Sequence, residues 1–263
     1  MRLSRRLGWI ACLVLLAPAA ASACLWDYDT IKMERSRFPT TLELITGKFL
    51  RHTPEFYRWR IDDRLRRLET DPSNVELLDD VAVAYDKLGQ HDRAIEAAKQ
   101  IEMRFPGRYE TAANLSTFLF HAGRLEESLV EVNRALAINP DAHFGREKYQ
   151  KLLTEYVLAR RTDGKIPLPL AEVQVKADEH GERSGVPFES TFAHAAGLSR
   201  MGSIDQSKPA ATAILGMMRF ANFESPVLLE SLGSVLTTGA IPQNDAKLLA
   251  ARAYLKASYC VPE

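Results

Sequence analysis

Apolar residues along this chain recur at intervals of three and four residues, which is the spacing of one face of an α-helix. One such face ends just before Gly89 and is formed by Leu78, Val81, Ala82 and Tyr85. A second face follows that glycine, and the same arrangement returns around Gly123. Glycine permits a tight reversal that would strain a bulkier residue. The pattern therefore predicts short helices joined in pairs by tight turns.

The paired helices repeat with a fixed period. Gly89 and Gly123 lie 34 residues apart, and Pro72, Pro106 and Pro140 follow one another at the same interval. Positions between these marks are also matched: Ala82 with Ser116, Tyr85 with Leu119, and Ala94 with Ser128. In these features the chain resembles tetratricopeptide repeats. The resemblance implies an all-α fold, a solenoid of stacked helical hairpins that share one core.

Changes in periodicity divide the chain into five predicted segments. Residues 161–188 break the helical pattern and contain several Pro and Gly, so we expect a loop there. Beyond it, Leu232 and Gly233 resemble the first helix of a repeat, and Tyr254 lies in a stretch that resembles the second. The segments are a signal peptide at 1–23, an N-terminal lead and helix at 24–54, repeats at 55–160, the loop at 161–188 and a C-terminal helical block at 189–260.

Two further helices are predicted ahead of the first clear repeat. Thr40 and Thr41 are suited to cap a helix that stops before Pro54, and Pro54 is suited to the first turn of the next helix. We expect this pair to form a divergent first hairpin.

The N-terminus has the features of an export signal. Arg2, Arg5 and Arg6 precede an apolar run over residues 7–17, and the small residues 21–23 match a signal peptidase site. The run is shorter than the roughly 20 residues that span a membrane. We therefore expect removal of residues 1–23 and a periplasmic or other extracytoplasmic location.

Two cysteines remain after that cut, Cys24 at the first position and Cys260 near the end. The run ending in Cys24 resembles a lipoprotein box, although Ala21 stands where such boxes usually carry leucine. Three outcomes remain open: lipidation of Cys24, which would anchor the chain to a membrane, a disulfide between Cys24 and Cys260, or two unpaired thiols.

Composition and motifs do not indicate nucleic-acid binding, catalysis or a metal site. The chain carries 34 Lys and Arg against 34 Asp and Glu, so no basic field favours nucleic acid. Ser199 between Gly197 and Gly202 is spaced one residue too widely for a nucleophile elbow. No two histidines are four residues apart in the manner of a helical metal site. We expect no catalytic residue, no cofactor and no metal.

The resemblance also implies where a partner would bind. Tetratricopeptide proteins usually hold ligands against the first helix of each repeat, and a protein or peptide is the expected partner. Phe120 is the predicted anchor, because an aromatic side chain on a polar face offers a large contact; the alternative is that Phe120 packs internally. Alternatively, the residues of this inner face only keep it soluble. The predicted contact residues are Asp79, Val83, Asp86, Lys87, Asn114, Thr117, Phe120, His121, Lys151 and Glu155.

From the sequence we therefore predict an exported, non-enzymatic scaffold that mediates protein or peptide interaction. The alternative is a lipid-anchored structural or assembly component of the cell envelope. The repeat period does not distinguish between these two functions, because a solenoid is compatible with both.

Overall fold

The computed structural model describes residues 37–141, 145–172, 174–178, 181–201, 204–238 and 244–260. The predicted signal peptide and Cys24 lie outside these ranges. Within them, no helix is both long enough and apolar enough to cross a membrane.

The described residues form eleven α-helices and one short β-hairpin. In the first half the helices are α1 (Thr41–Thr46), α2 (Pro54–Thr70), α3 (Val75–Lys87), α4 (His91–Arg104), α5 (Tyr109–His121), α6 (Leu125–Ile138) and α7 (Arg146–Leu158). In the second half they are α8 (Phe192–Ala195), α9 (Ile204–Phe220), α10 (Pro226–Leu236) and α11 (Asn244–Tyr259), with a 3₁₀ turn at Phe188–Ser190.

Helices α2 to α7 form the predicted solenoid, in which each helix packs against the next and α5 also contacts α3. The small residues that mark the repeat let α5 and α6 approach closely. The Ser116 hydroxyl donates to the Ser128 carbonyl at 3.0 Å, and the Ser128 hydroxyl donates to the Ser116 carbonyl at 2.8 Å. The all-α solenoid predicted from the 34-residue period is confirmed.

The repeated glycines end their helices in the same way. Gly89 has φ +72°, and the N–H of the next residue, Gln90, donates to the Tyr85 carbonyl at 2.9 Å. Gly123 has φ +73°, and Arg124 donates to the Leu119 carbonyl at the same distance. This left-handed cap satisfies carbonyls that the helix end would leave unpaired, and it reverses the chain into the next helix.

The C-terminal block continues the stack with different connections. Helix α9 packs against α7, in the place that the second helix of a third repeat would occupy. Helix α10 then packs against α9, and α11 packs against α10. At the contact of α10 with α11, a Cβ atom added to Gly233 would lie 2.8 Å from the Tyr254 ring. Gly233 thus lets the two helices approach around the half-buried Tyr254 ring.

Helix α1 does not form the predicted hairpin with α2, and that prediction is wrong. It packs against α11 and α9, and its buried Leu44 and Ile45 belong to the C-terminal core. Just after the helix, the Phe49 ring meets the Phe223 ring edge to face at 5.3 Å. A helix of six residues carries too few apolar positions to indicate which core receives them.

The interval predicted to be a loop contains a hairpin. Strand β1 (Gln174–Asp178) pairs antiparallel with β2 (Gly181–Gly185), with Gln174 opposite Gly185. Before the hairpin, the N–H groups of Leu170 and Ala171 donate to the Glu230 carboxylate at 2.8 and 2.7 Å. Burial raises the pKa of Glu230. These bonds attach the interval to α10.

Candidate functional site

The repeats meet the C-terminal block at the end of α3. The Lys87 ammonium donates to the carbonyl oxygens of Phe220 and Ala221, at 2.9 Å in the second case. These carbonyls lie at the C-terminal end of α9, where helix carbonyls lack partners within the helix and a positive charge is favourable. The contact holds the turn after α9 against the inner face of the solenoid.

A groove runs along this contact, and we call it the junction groove. Its polar end is a cavity of about 370 Å³. Its apolar end is a smaller cavity of about 60 Å³. The two cavities share His121, Ala221 and Asn222. The polar end is otherwise lined by Asp86, Lys87, Gly89 and His91, and the apolar end by Thr117, Phe120, Gln150, Leu153, Met217, Ser225 and Leu228.

At the polar end, two imidazoles converge on one buried carboxylate. The His91 Nδ1 lies 2.8 Å from Asp86 Oδ1, and the His121 Nδ1 lies 3.0 Å from both Asp86 oxygens. The Asp86 side chain is 1% exposed. An ionised carboxylate only accepts hydrogen bonds, so both Nδ1 atoms donate.

The charge of this cluster follows from its contacts. Burial alone would raise the pKa of Asp86, but the charge and hydrogen bond of His121 and the hydrogen bond of His91 hold it well below its usual range. The hydrogen bond to Asp86 raises the pKa of His91. Asp86 is therefore an anion at neutral pH, and both imidazole rings donate hydrogen bonds to its carboxylate.

The repeat period brings Asp86 and His121 together. Lys87 and His121 are 34 residues apart and occupy equivalent places on neighbouring units, so the end of α5 lies beside the end of α3 and His121 reaches Asp86, the residue before Lys87. The cap at Gly89 then returns the chain so that His91, the first residue of α4, reaches the same carboxylate. The Asp86, His91 and His121 side chains of the polar end thus come from two neighbouring repeats.

The predicted contact residues divide into three groups. Asp86, Lys87, Thr117, Phe120 and His121 line the junction groove. Asp79, Val83 and Asn114 are buried within the stack, with Asp79 bound by the Arg108 guanidinium at 2.9 and 3.2 Å. Lys151 is half-buried and Glu155 is exposed, and the Lys151 Nζ lies 3.9 Å from the Glu155 Oε1.

Sequence reasoning missed two parts of the groove. The predicted contact residues do not include His91, although Asp86, its partner, stands only five residues earlier. Ala221 and Asn222 come from a block more than 130 residues from Lys87, as the Lys87 contact shows. A repeat period carries no information on such a contact.

The Asp86 carboxylate and the His91 and His121 imidazoles are also side chains of the kind that coordinate metal ions. One ligand atom each from Asp86, His91 and His121 lies within 4.8 Å of the others.

Comparison with known proteins supports the solenoid. Residues 87–156 match the tetratricopeptide repeat family, a segment that runs from the end of α3 into α7 and includes His91, Phe120 and His121. No curated protein and no solved structure matches the chain.

Proposed function

We propose that the chain is an exported, non-enzymatic scaffold that binds a protein or peptide partner in the junction groove, because residues 87–156 match the tetratricopeptide repeat family. Tetratricopeptide repeats generally mediate protein–protein interaction, and solenoids present extended inner surfaces for it. The groove lies where that inner surface meets the C-terminal block.

The shape and chemistry of the groove carry the proposal. An apolar cavity beside Phe120 adjoins a polar cavity beside Asp86 and His121. Interfaces typically combine an apolar pocket for one anchoring side chain with polar groups around it. A peptide segment with an apolar side chain followed by a hydrogen-bonding group matches this arrangement.

Replacing Phe120 by Ala is expected to weaken partner capture by about 1 to 3 kcal/mol, because the ring forms a wall of the apolar cavity. The measurement is affinity capture from the native envelope fraction with the purified chain and its variant. Phe105→Ala is the matched control, since Phe105 is also half-buried but packs beside the repeat core away from the groove. Equal capture by Phe120→Ala and the unaltered chain, with an intact melting transition, would remove Phe120 from the site.

Export and anchoring form a separate part of the proposal. The basic residues and apolar run at the N-terminus support export, and the position of Cys24 supports the alternative, a lipid-anchored component of the envelope. Cys24 lies outside the described residues, whereas Cys260 is half-buried against the C-terminal core.

Intact mass of the protein purified from its own envelope is expected to correspond to a chain that starts at Cys24. An added acyl mass would support the anchor, and a loss of two hydrogens would support a disulfide with Cys260. A mass that still includes residues 1–23 would contradict the removal of a signal peptide.

A further inference from the structure

We propose that Asp86, His91 and His121 bind a divalent transition-metal ion of the Zn²⁺ class at the polar end of the junction groove. The three side chains come from the ends of α3 and α5 and from the start of α4. Their ligand atoms lie within 4.8 Å of one another. The site thus joins two neighbouring repeats at the surface of a cavity.

The donor set determines the class of ion. Two imidazoles and one carboxylate suit Zn²⁺ and its neighbours in the first transition row, whereas Ca²⁺ and Mg²⁺ prefer oxygen ligands alone. Three protein ligands also leave one position of a tetrahedral ion for water. The cavity of about 370 Å³ beside the cluster has room for that water.

The present distances require a small adjustment. Ligand bonds of about 2.0 to 2.2 Å hold the ligand atoms of a tetrahedral ion roughly 3.3 to 3.6 Å apart. The observed N···O distances are 2.8 and 3.0 Å, so each Nδ1 must move away from the Asp86 oxygen by a few tenths of an ångström, and the two imidazole ligand atoms, which lie within 4.8 Å of each other, must reach the same separation. The His91 and His121 side chains are 32% and 18% exposed and both face the cavity, which gives them space to move.

Binding also changes the protons at these rings. Each Nδ1 now donates a hydrogen bond to Asp86, and a metal bond at that atom requires its lone pair. The proton therefore leaves for solvent or, in a neutral ring, moves to Nε2. The Asp86 carboxylate exchanges two hydrogen bonds for one metal bond.

The test uses Zn²⁺ and the chain produced without residues 1–23. Cys24→Ser and Cys260→Ser are introduced first, because thiolates bind Zn²⁺ strongly and would obscure the site. Competition with a chromophoric chelator then measures the stoichiometry and the affinity. We expect one equivalent of Zn²⁺, and Co²⁺ in its place should give the visible absorption of a tetrahedral N/O site.

Removal of one ligand should weaken binding while the fold persists. His91→Gln, His121→Gln and Asp86→Asn are each expected to lower the affinity by tenfold or more, since even the loss of an outer contact costs about 10- to 100-fold. His194→Gln is the matched control, because His194 is an exposed imidazole on α8, outside the groove. Circular dichroism melting identifies any variant that fails to fold.

His91→Gln serves as the decisive variant, because His91 is the more exposed of the two rings and its loss leaves the core intact. No uptake of Zn²⁺ by the unaltered site would overturn the proposal. Equal affinity in His91→Gln, His194→Gln and the parent chain would overturn it as well.

Discussion

Replacing Asp80 by Ala is expected to lower the free energy of unfolding by about 3 to 5 kcal/mol, because the change removes a buried carboxylate that the Arg60 and Arg64 guanidinium groups both approach. Asp80 is 3% exposed, and it accepts a hydrogen bond from the Arg64 Nε at 2.8 Å. Arg60, which is fully buried, approaches the same carboxylate at 3.8 Å. The cluster fixes α2 to α3 at the start of the solenoid.

Chemical denaturation followed by circular dichroism measures this loss. Glu55→Ala is the control, since the Glu55 carboxylate is exposed and pairs with Arg58 at 3.0 Å at the surface, where ion pairs contribute little. A loss for Asp80→Ala no greater than that of the control would show that the buried cluster does not hold the two helices together.

The second large effect is expected at Phe118, two residues before the proposed anchor. Phe118 is fully buried in the core between the repeats, so Phe118→Ala removes a whole ring and leaves a cavity. Such changes cost about 3 to 5 kcal/mol. The midpoint of denaturation should fall accordingly, and Phe118→Leu should lose much less.

Comparison with Phe120 separates stability from binding. The two aromatic rings belong to the same helix, but one lies in the repeat core and the other lines the junction groove. Phe118→Ala should lower stability strongly, whereas Phe120→Ala should mainly reduce capture. The reverse result, with a stable Phe118→Ala chain that captures no partner, would contradict this assignment of the two faces.

Much of the solenoid was predictable because its information is local and periodic. The spacing of Gly89 and Gly123 set the helix pairs, and the same spacing placed Lys87 and His121 at equivalent positions of neighbouring repeats. Five of the contact residues predicted from the repeat therefore do line the junction groove. The prediction also included Asp79, Val83 and Asn114, which the packing of the helices in the stack buries.

The remaining structure depends on contacts that no period encodes. Helix α1 docks on the C-terminal block through two buried residues, and Lys87 meets the end of α9 across more than 130 residues of chain. The hairpin consists of two five-residue strands, at residues 174–178 and 181–185, which are too short for an alternating pattern to stand out from a polar loop. These features required the tertiary structure.

The most direct test of the account is a photo-crosslinking amino acid placed at position 222, in the wall that both cavities share. Asn222 is exposed in the groove, and Lys99 is an exposed control on α4 outside it. Illumination in intact cells should give a discrete crosslinked partner from position 222 that is reduced by Phe120→Ala, and none from position 99. A discrete product from position 99 and none from position 222 would contradict the junction groove as the binding site.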